Sequence, residues 1–250
     1  ETSENITASF KWTPVFDGQG SSSLGDVTMD PNDPKVIWVG AGENNSQRSV
    51  GYGDGVYKSI DGGTTWKNVG LKNSEHIGKI LIDPRDSNTV FVASQGPLWS
   101  DGGDRGVFKT TDGGKTWENV LEISEKTGVN EIVFDPRNPD VIYASSYQRR
   151  RHVFTLINGG PESAVYKSVD GGKTWDKINK GLPSVDMGRI GLAIAPTRPD
   201  TVYAIVEAAD GKSGFYRSTN GGASWHKQSS YVSGSPQYYQ EIVVDPVNPD

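Results

Sequence analysis

No cysteine occurs among the 250 residues, so disulfides and thiolate metal sites are excluded. Histidine is scarce as well: His76, His152 and His226 are scattered, and no metal-ligand spacing joins them. There is no excess of positive charge. Lys and Arg number 25 against 31 Asp and Glu, a net charge of −6, which leaves no electrostatic footprint for a nucleic-acid partner. The one tight basic run, Arg149-Arg150-Arg151-His152, is too short to change that. No apolar run approaches the roughly 18 residues of a membrane-spanning helix. The chain begins at Glu1 without a secretory leader, as expected of a processed chain or of part of a longer one. Asp30, Asn32 and Asp33 are calcium ligands in type, but turn chemistry explains them, and nothing calls for a metal or cofactor.

Glycine is plentiful, at 31 residues, and it recurs within a phrase. Ser59-Ile60-Asp61-Gly62-Gly63-Thr64-Thr65-Trp66 is followed by Thr110-Thr111-Asp112-Gly113-Gly114-Lys115-Thr116-Trp117, then by Ser168-Val169-Asp170-Gly171-Gly172-Lys173-Thr174-Trp175. A fourth copy, ending at Trp225, carries Asn220 and Ser224 in place of Asp and Thr, which weakens the turn without erasing it. The tryptophans lie 51, 58 and 50 residues apart, a spacing that marks a repeat architecture. Before each copy stands an alternating run such as Gly55-Val56-Tyr57-Lys58, which predicts a half-buried strand. Asp-Gly-Gly then gives a tight turn, because glycine reaches positive φ without steric cost. The tryptophan opens the returning strand and fills space between packed units. Asp61, Trp66, Asp112, Trp117, Asp170, Trp175, Asn220 and Trp225 are therefore expected to be structural.

A second marker alternates with the first: Asp30-Pro31, Asp83-Pro84, Asp135-Pro136, Ala195-Pro196 and Asp245-Pro246, each closing an apolar run. Proline fixes φ and removes a donor, so these are turns between strands. One repeat thus reads strand A, Asp-Pro turn, strand B, variable loop, strand C, glycine turn, strand D. Four antiparallel strands per unit of about 50 residues predict an all-β fold, a β-propeller of four-stranded blades. The expected blades are 24–69, 77–120, 130–178 and 189–228 within a single propeller domain spanning 1–250, with leftover strands near 10–16 and 240–245. Unmatched strand edges are a liability, so the expectation is a partial arc of a larger ring completed by the rest of a longer parent chain.

The motif Ser/Thr-x-Asp-x-Gly-x-Thr-Trp resembles the Asp-box, or BNR, repeat of sialidases, xyloglucan-cleaving glycoside hydrolases, sortilin/VPS10 receptors and photosystem-assembly propellers. In overall texture the chain is similar to sortilin-like and xyloglucanase-like exported bacterial repeat proteins. The sialidases' N-terminal Phe-Arg-Ile-Pro type motif is absent. In a propeller the A–B and C–D turns share one face, and the irregular B–C and D–A loops share the other, where binding usually sits.

Those loops carry aromatic, amide and paired charged groups suited to sugar rings or to a protein surface. The candidate binding residues are Glu43, Asn44, Arg48, Tyr52, Gln95, Trp99, Arg105, Tyr147, Arg149, Arg150, His152, Tyr238 and Tyr239. The expected role is a non-catalytic interaction propeller outside the cytoplasm (extracellular, cell-surface or periplasmic), binding a protein or polysaccharide through this face. The alternative is a glycoside hydrolase. Resemblance to the xyloglucan-cleaving enzymes implies one carboxylate after strand B of an early blade, where Glu43 and Asp54 are the candidates, and a partner carboxylate outside this chain.

Overall fold

The computed structural model describes residues 11–249, and its strands follow the repeat. Blade 1 is an antiparallel sheet of β1 (Leu24–Met29), β2 (Ile37–Ala41), β3 (Val56–Ser59) and β4 (Lys67–Gly70), in that order. Blade 2 repeats it with β5 (Ile77–Ile82), β6 (Val90–Ser94), β7 (Gly106–Thr110) and β8 (Glu118–Leu121). Blade 3 contains β9 (Thr127–Asp135), β10 (Asn138–Arg151), β11 (Leu156–Asn158), β12 (Ala164–Ser168) and β13 (Asp176–Lys177). Blade 4 is β14 (Met187–Ile194), β15 (Val202–Ala208), β16 (Gly214–Ser218) and β17 (His226–Ser229). This is the all-β, propeller-type architecture that the repeats predict.

Each glycine turn is wired alike. In the first, Ser59 Oγ donates to Asp61 Oδ1 (2.8 Å), Gly63 N donates to Ser59 Oγ (2.9 Å), and the Thr65 hydroxyl donates to Asp61 Oδ2 (2.7 Å). These donors hold the Asp61 carboxyl down at about 2, with the Thr65 hydroxyl the largest cause, and Asp170 sits at about 2 for the same reason. The fourth turn keeps the wiring with one bond reversed: Asn220 Nδ2 donates to Ser224 Oγ at 2.9 Å.

The blades pack through apolar layers between them. Trp38, Val56, Ile80, Val90 and Phe108 fill the space between blades 1 and 2. Phe91, Val107, Ile132 and Ile142 do so between blades 2 and 3, and Tyr143, Val165, Leu192 and Trp225 between blades 3 and 4. Polar contacts on the turn face step from blade to blade. The ammonium groups of Lys58, Lys109 and Lys167 lie over Trp38, Phe91 and Tyr143 and donate to the carbonyls of Gly113, Gly171 and Gly221 in the next blade's turn. The indole N–H groups of Trp117 and Trp225 reach back to the carbonyls of Val69 and Ile178.

Three features depart from the sequence reading. Residues 11–16 form no strand, and residue 10 lies outside the described residues. Val15 nevertheless accepts the Trp66 indole N–H at 2.8 Å, as Val69 does for Trp117, so this segment has an outer strand's position without a ladder partner. Residues 240–245 form no strand either; a one-turn helix, α1 (Pro236–Tyr239), precedes them, and among the described residues no B-type strand lies beside them to complete a ladder. The connection between strands B and C of blade 3, expected to be an irregular loop, contains a hairpin instead: β10 runs on past the blade and pairs Arg149–Arg151 with Leu156–Asn158. Its polar, charge-rich residues hide the period-two signal that apolar strands show.

Candidate functional site

The loop between β2 and β3 organises the loop face. Gly42 opens it at φ 93°, where a Cβ would meet the Glu75 carbonyl oxygen at 1.8 Å, so only glycine fits. The Glu43 carboxylate then ties the loop to itself, accepting Asn45 Nδ2 at 2.6 Å and Gly51 N at 2.9 Å. Four consecutive carbonyls are held by four side chains from three other blades. His76 Nδ1 lies 2.9 Å from the Glu43 oxygen, and Arg189 donates to Asn44 at 2.7 Å. Arg149 donates to Asn45 at 2.6 Å, and Arg151 to Ser46 at 3.0 Å. The Asn44 side chain bonds to Gln95 and to the Gly78 carbonyl, and Ser46 Oγ lies 3.2 Å from the Tyr147 hydroxyl. The loop is thus a strap crossing from blade 1 to blades 2, 3 and 4.

Burial sets the electrostatics beneath the strap. His76 is pushed down to about 3, by burial first and then by Arg149, so it is neutral and its Nδ1–H serves the Glu43 carbonyl. Arg149, 1% exposed, is pulled down to about 9 by burial. Arg105, also buried, gathers the 95–105 loop by donating to the carbonyls of Gln95, Pro97, Ser100 and Gly102. Gln95, Arg105, Tyr147 and Arg149 therefore lie in the interior and brace the loops. Arg48, Tyr52, Tyr238 and Tyr239 are exposed, and Asn44, Trp99, Arg150 and His152 are half-buried. At the tip of the β10–β11 hairpin His152 and Phe154 stack, with ring centroids 5.7 Å apart and planes at 12°, and Phe154 is 86% exposed. Arg48 reaches this tip through the Val153 carbonyl.

Neither candidate carboxylate stands free. Glu43 braces the strap, and Asp54 Oδ2 accepts the Tyr57 hydroxyl at 2.7 Å beside the 11–20 segment. The carboxyl with the strongest raised proton affinity is one the sequence reading passed over as part of an apolar run, Glu131. The inner strands β1, β5, β9 and β14 adjoin in chain order around a cavity of about 630 Å³. Asp26, Lys79, Glu131 and Glu241 line it, with Asn44 of the strap. Burial raises Glu131 to about 7, against the pull of Lys79 and Arg189. A signal was present: Asp26, Lys79, Glu131, Gly191 and Glu241 each fall four residues before a recurring Asp-Pro or Ala-Pro turn. A register shift in each inner strand sits beside the first three of these positions and re-aims the chain there. Among the described residues no cluster of His, Cys, Asp and Glu could hold a metal ion, and no helix is long and apolar enough to cross a membrane.

Four blades, each closed by an Asp-box turn, define an Asp-box repeat protein of propeller type. A family model described as Sortilin-Vps10, "Sortilin, neurotensin receptor 3", matches residues 54–159, less than half of the chain. A xyloglucanase of Hypocrea jecorina is 24% identical over 273 aligned residues, covering 94% of this chain and 30% of that protein. A xyloglucanase of Acetivibrio thermocellus is 29% identical over 177, covering 66% and 17%. The GH74 xyloglucanase structure from Xanthomonas campestris superposes with a TM-score of 0.66 at 16% identity, covering 89% of this chain and 34% of that one. The chain spans about a third or less of these proteins' lengths, and the structural likeness establishes the fold.

Proposed function

We propose that this chain recognises a polysaccharide through the exposed rim of its loop face, without itself supplying a glycosidase carboxylate pair. The observation that carries this reading is the His152–Phe154 stack, an exposed aromatic platform on a paired hairpin tip rather than on a free loop. A platform already ordered by the strap and the hairpin loses little further freedom on binding. Arg48, which donates to the Val153 carbonyl at that tip, and the exposed Tyr52, Tyr238 and Tyr239 add groups that stack on rings and donate to hydroxyls. The relatives are xyloglucanases, which favours a polysaccharide over a protein ligand. A polymer of that kind fits a setting outside the cytoplasm.

Electrophoresis through gels containing xyloglucan, galactomannan, polygalacturonate or alginate tests the reading, alongside a reducing-sugar assay. Retardation by at least one polymer without sugar release is expected, weakened by Phe154→Ala. Unaltered mobility in all four gels would end the proposal. A second reading, a glycoside hydrolase, is favoured by those same relatives and by Glu131, whose raised proton affinity suits a general acid. It requires sugar release that disappears in Glu131→Gln and in Glu43→Gln or Asp54→Asn.

A further inference from the structure

Between blades 2 and 3 the loop face holds a cleft of about 250 Å³ that the sequence reading did not single out. Its walls include Asp101 from the blade 2 loop, Lys126 from the connection into β9, and Gln148, Arg150, His152 and Ile157 from the long hairpin. On the hairpin, the guanidiniums of Arg149 and Arg151 are taken up by the strap carbonyls, although Arg149 also lines the cleft, which leaves Gln148 and Arg150 as the polar groups of β10 available there. Cations outnumber anions there. Arg150 Nη1 donates to Asp101 at 2.8 Å, and its Nε is buried without a partner. Lys126 forms no ion pair among the described residues. The carboxylate that feels its charge, Glu162, is already taken up by the Ser124 and Thr127 hydroxyls. The His152–Phe154 stack stands at the rim, and Ile157 gives one wall an apolar surface.

We propose that this cleft is a seat for one carboxylate-bearing sugar unit, so that the polysaccharide recognised by the loop face is an acidic, uronate-containing one. The inference rests on the polysaccharide-binding reading above and adds the ligand's charge. A guanidinium donates to a carboxylate in a two-point, charge-assisted geometry, and Asp101 occupies only one of the donors of Arg150. An incoming uronate shares or displaces that bond, gains Lys126, and lays its ring edge toward Ile157 and the aromatic stack. The cleft is smaller than pockets that enclose a drug-sized ligand, which matches a single ring of a longer chain.

Titration calorimetry of the chain with trigalacturonate, and with the same trisaccharide after reduction of its carboxyl groups, tests the seat. The acid is expected to bind about tenfold more tightly than its reduced counterpart, with the difference shrinking as salt rises. Arg150→Gln and Lys126→Gln should each cost the acid about tenfold while leaving the reduced sugar unchanged. Asp101→Asn should instead tighten the acid by about threefold, because it removes a competing carboxylate, an effect that misfolding cannot imitate. Equal affinity for acid and reduced sugar, or weaker acid binding in Asp101→Asn, overturns the proposal. A poly-glutamate peptide binding as tightly as the uronate, with the same dependence on Arg150, also overturns it and reassigns the cleft to acidic peptides. Binding of neutral polysaccharides alone removes the seat and leaves the polysaccharide reading intact. No binding to any glycan removes both.

Discussion

On the turn face, contacts recur with the blades: Lys58, Lys109 and Lys167 each reach the next Asp-box, and Arg85 and Arg137 each bridge an aspartate of their own turn to one in the next blade. On the loop face the strap's contacts occur once. Four successive carbonyls of a single loop are held by His76, Arg189, Arg149 and Arg151, which share no repeat position that the turn face uses. The difference teaches how a repeat protein divides its labour. A repeated contact is present in several copies, partly exposed and individually replaceable, whereas the strap depends on unique donors, three guanidiniums and a neutral imidazole, of which all but Arg151 are buried.

The largest effect should come from removing one of those donors. Arg149→Ala leaves the Asn45 carbonyl unpaired and a cavity beneath the strap, at a cost of about 3 kcal/mol. The turn-face counterpart, Lys109→Ala, should cost about 1 kcal/mol. Urea denaturation of both variants checks the ranking, and a larger loss for Lys109→Ala would break the comparison.

Acid should separate the two faces next. His76 ordinarily titrates near 6.5 and is held at about 3 in the fold, so its contribution is present above 6.5 and is lost progressively as pH falls toward 3. Asp61 and Asp170 ordinarily titrate near 3.8 and sit at about 2, so the boxes keep their contribution down to pH 4 and lose it only below. Glu131 acts in the opposite sense: its raised affinity, at about 7 against an ordinary 4.5, makes it destabilising as pH rises through that window. In a Glu131→Gln background, lowering pH from 7 to 4.5 should reduce the amide protection factors, taken relative to intrinsic exchange at each pH, at Gln95 and Glu43, while Gly63 and Gly172 stay protected. Simultaneous loss of protection at all four amides would contradict the division.

The smallest effect is expected from Asn220→Asp. It restores the carboxylate of the other three boxes, but the asparagine already spans the same turn through Ser218 and Ser224. Thermal melting should move by no more than about 0.5 kcal/mol in equivalent stability. A larger gain would show the fourth turn to be weaker than its bonds imply.

Much of the fold was legible because each blade states its own rule: an alternating run, a proline turn, a glycine turn and a tryptophan. Asp61, Asp112 and Asp170 read as structural, and each closes its turn on hydroxyls and amides of the same box. The loop face was legible only as composition. Arg149 and Tyr147 looked like binding groups because arginine and tyrosine are common at interfaces, yet both are interior. Nothing local distinguishes an arginine facing solvent from one paired with a carbonyl about a hundred residues away. Glu131 was hidden differently, since it opens the apolar run Ile132-Val133-Phe134 and its charge matters only where five inner segments converge.

The blades, their turns and the face on which the irregular loops gather follow from the order of the amino acids alone, because short-range steric and hydrogen-bonding rules are repeated four times along it. Which loop residues are buried braces and which remain available at the rim is settled only when the blades pack. That choice depends on one strap crossing several blades, where desolvation makes each guanidinium seek a carbonyl far away along the chain.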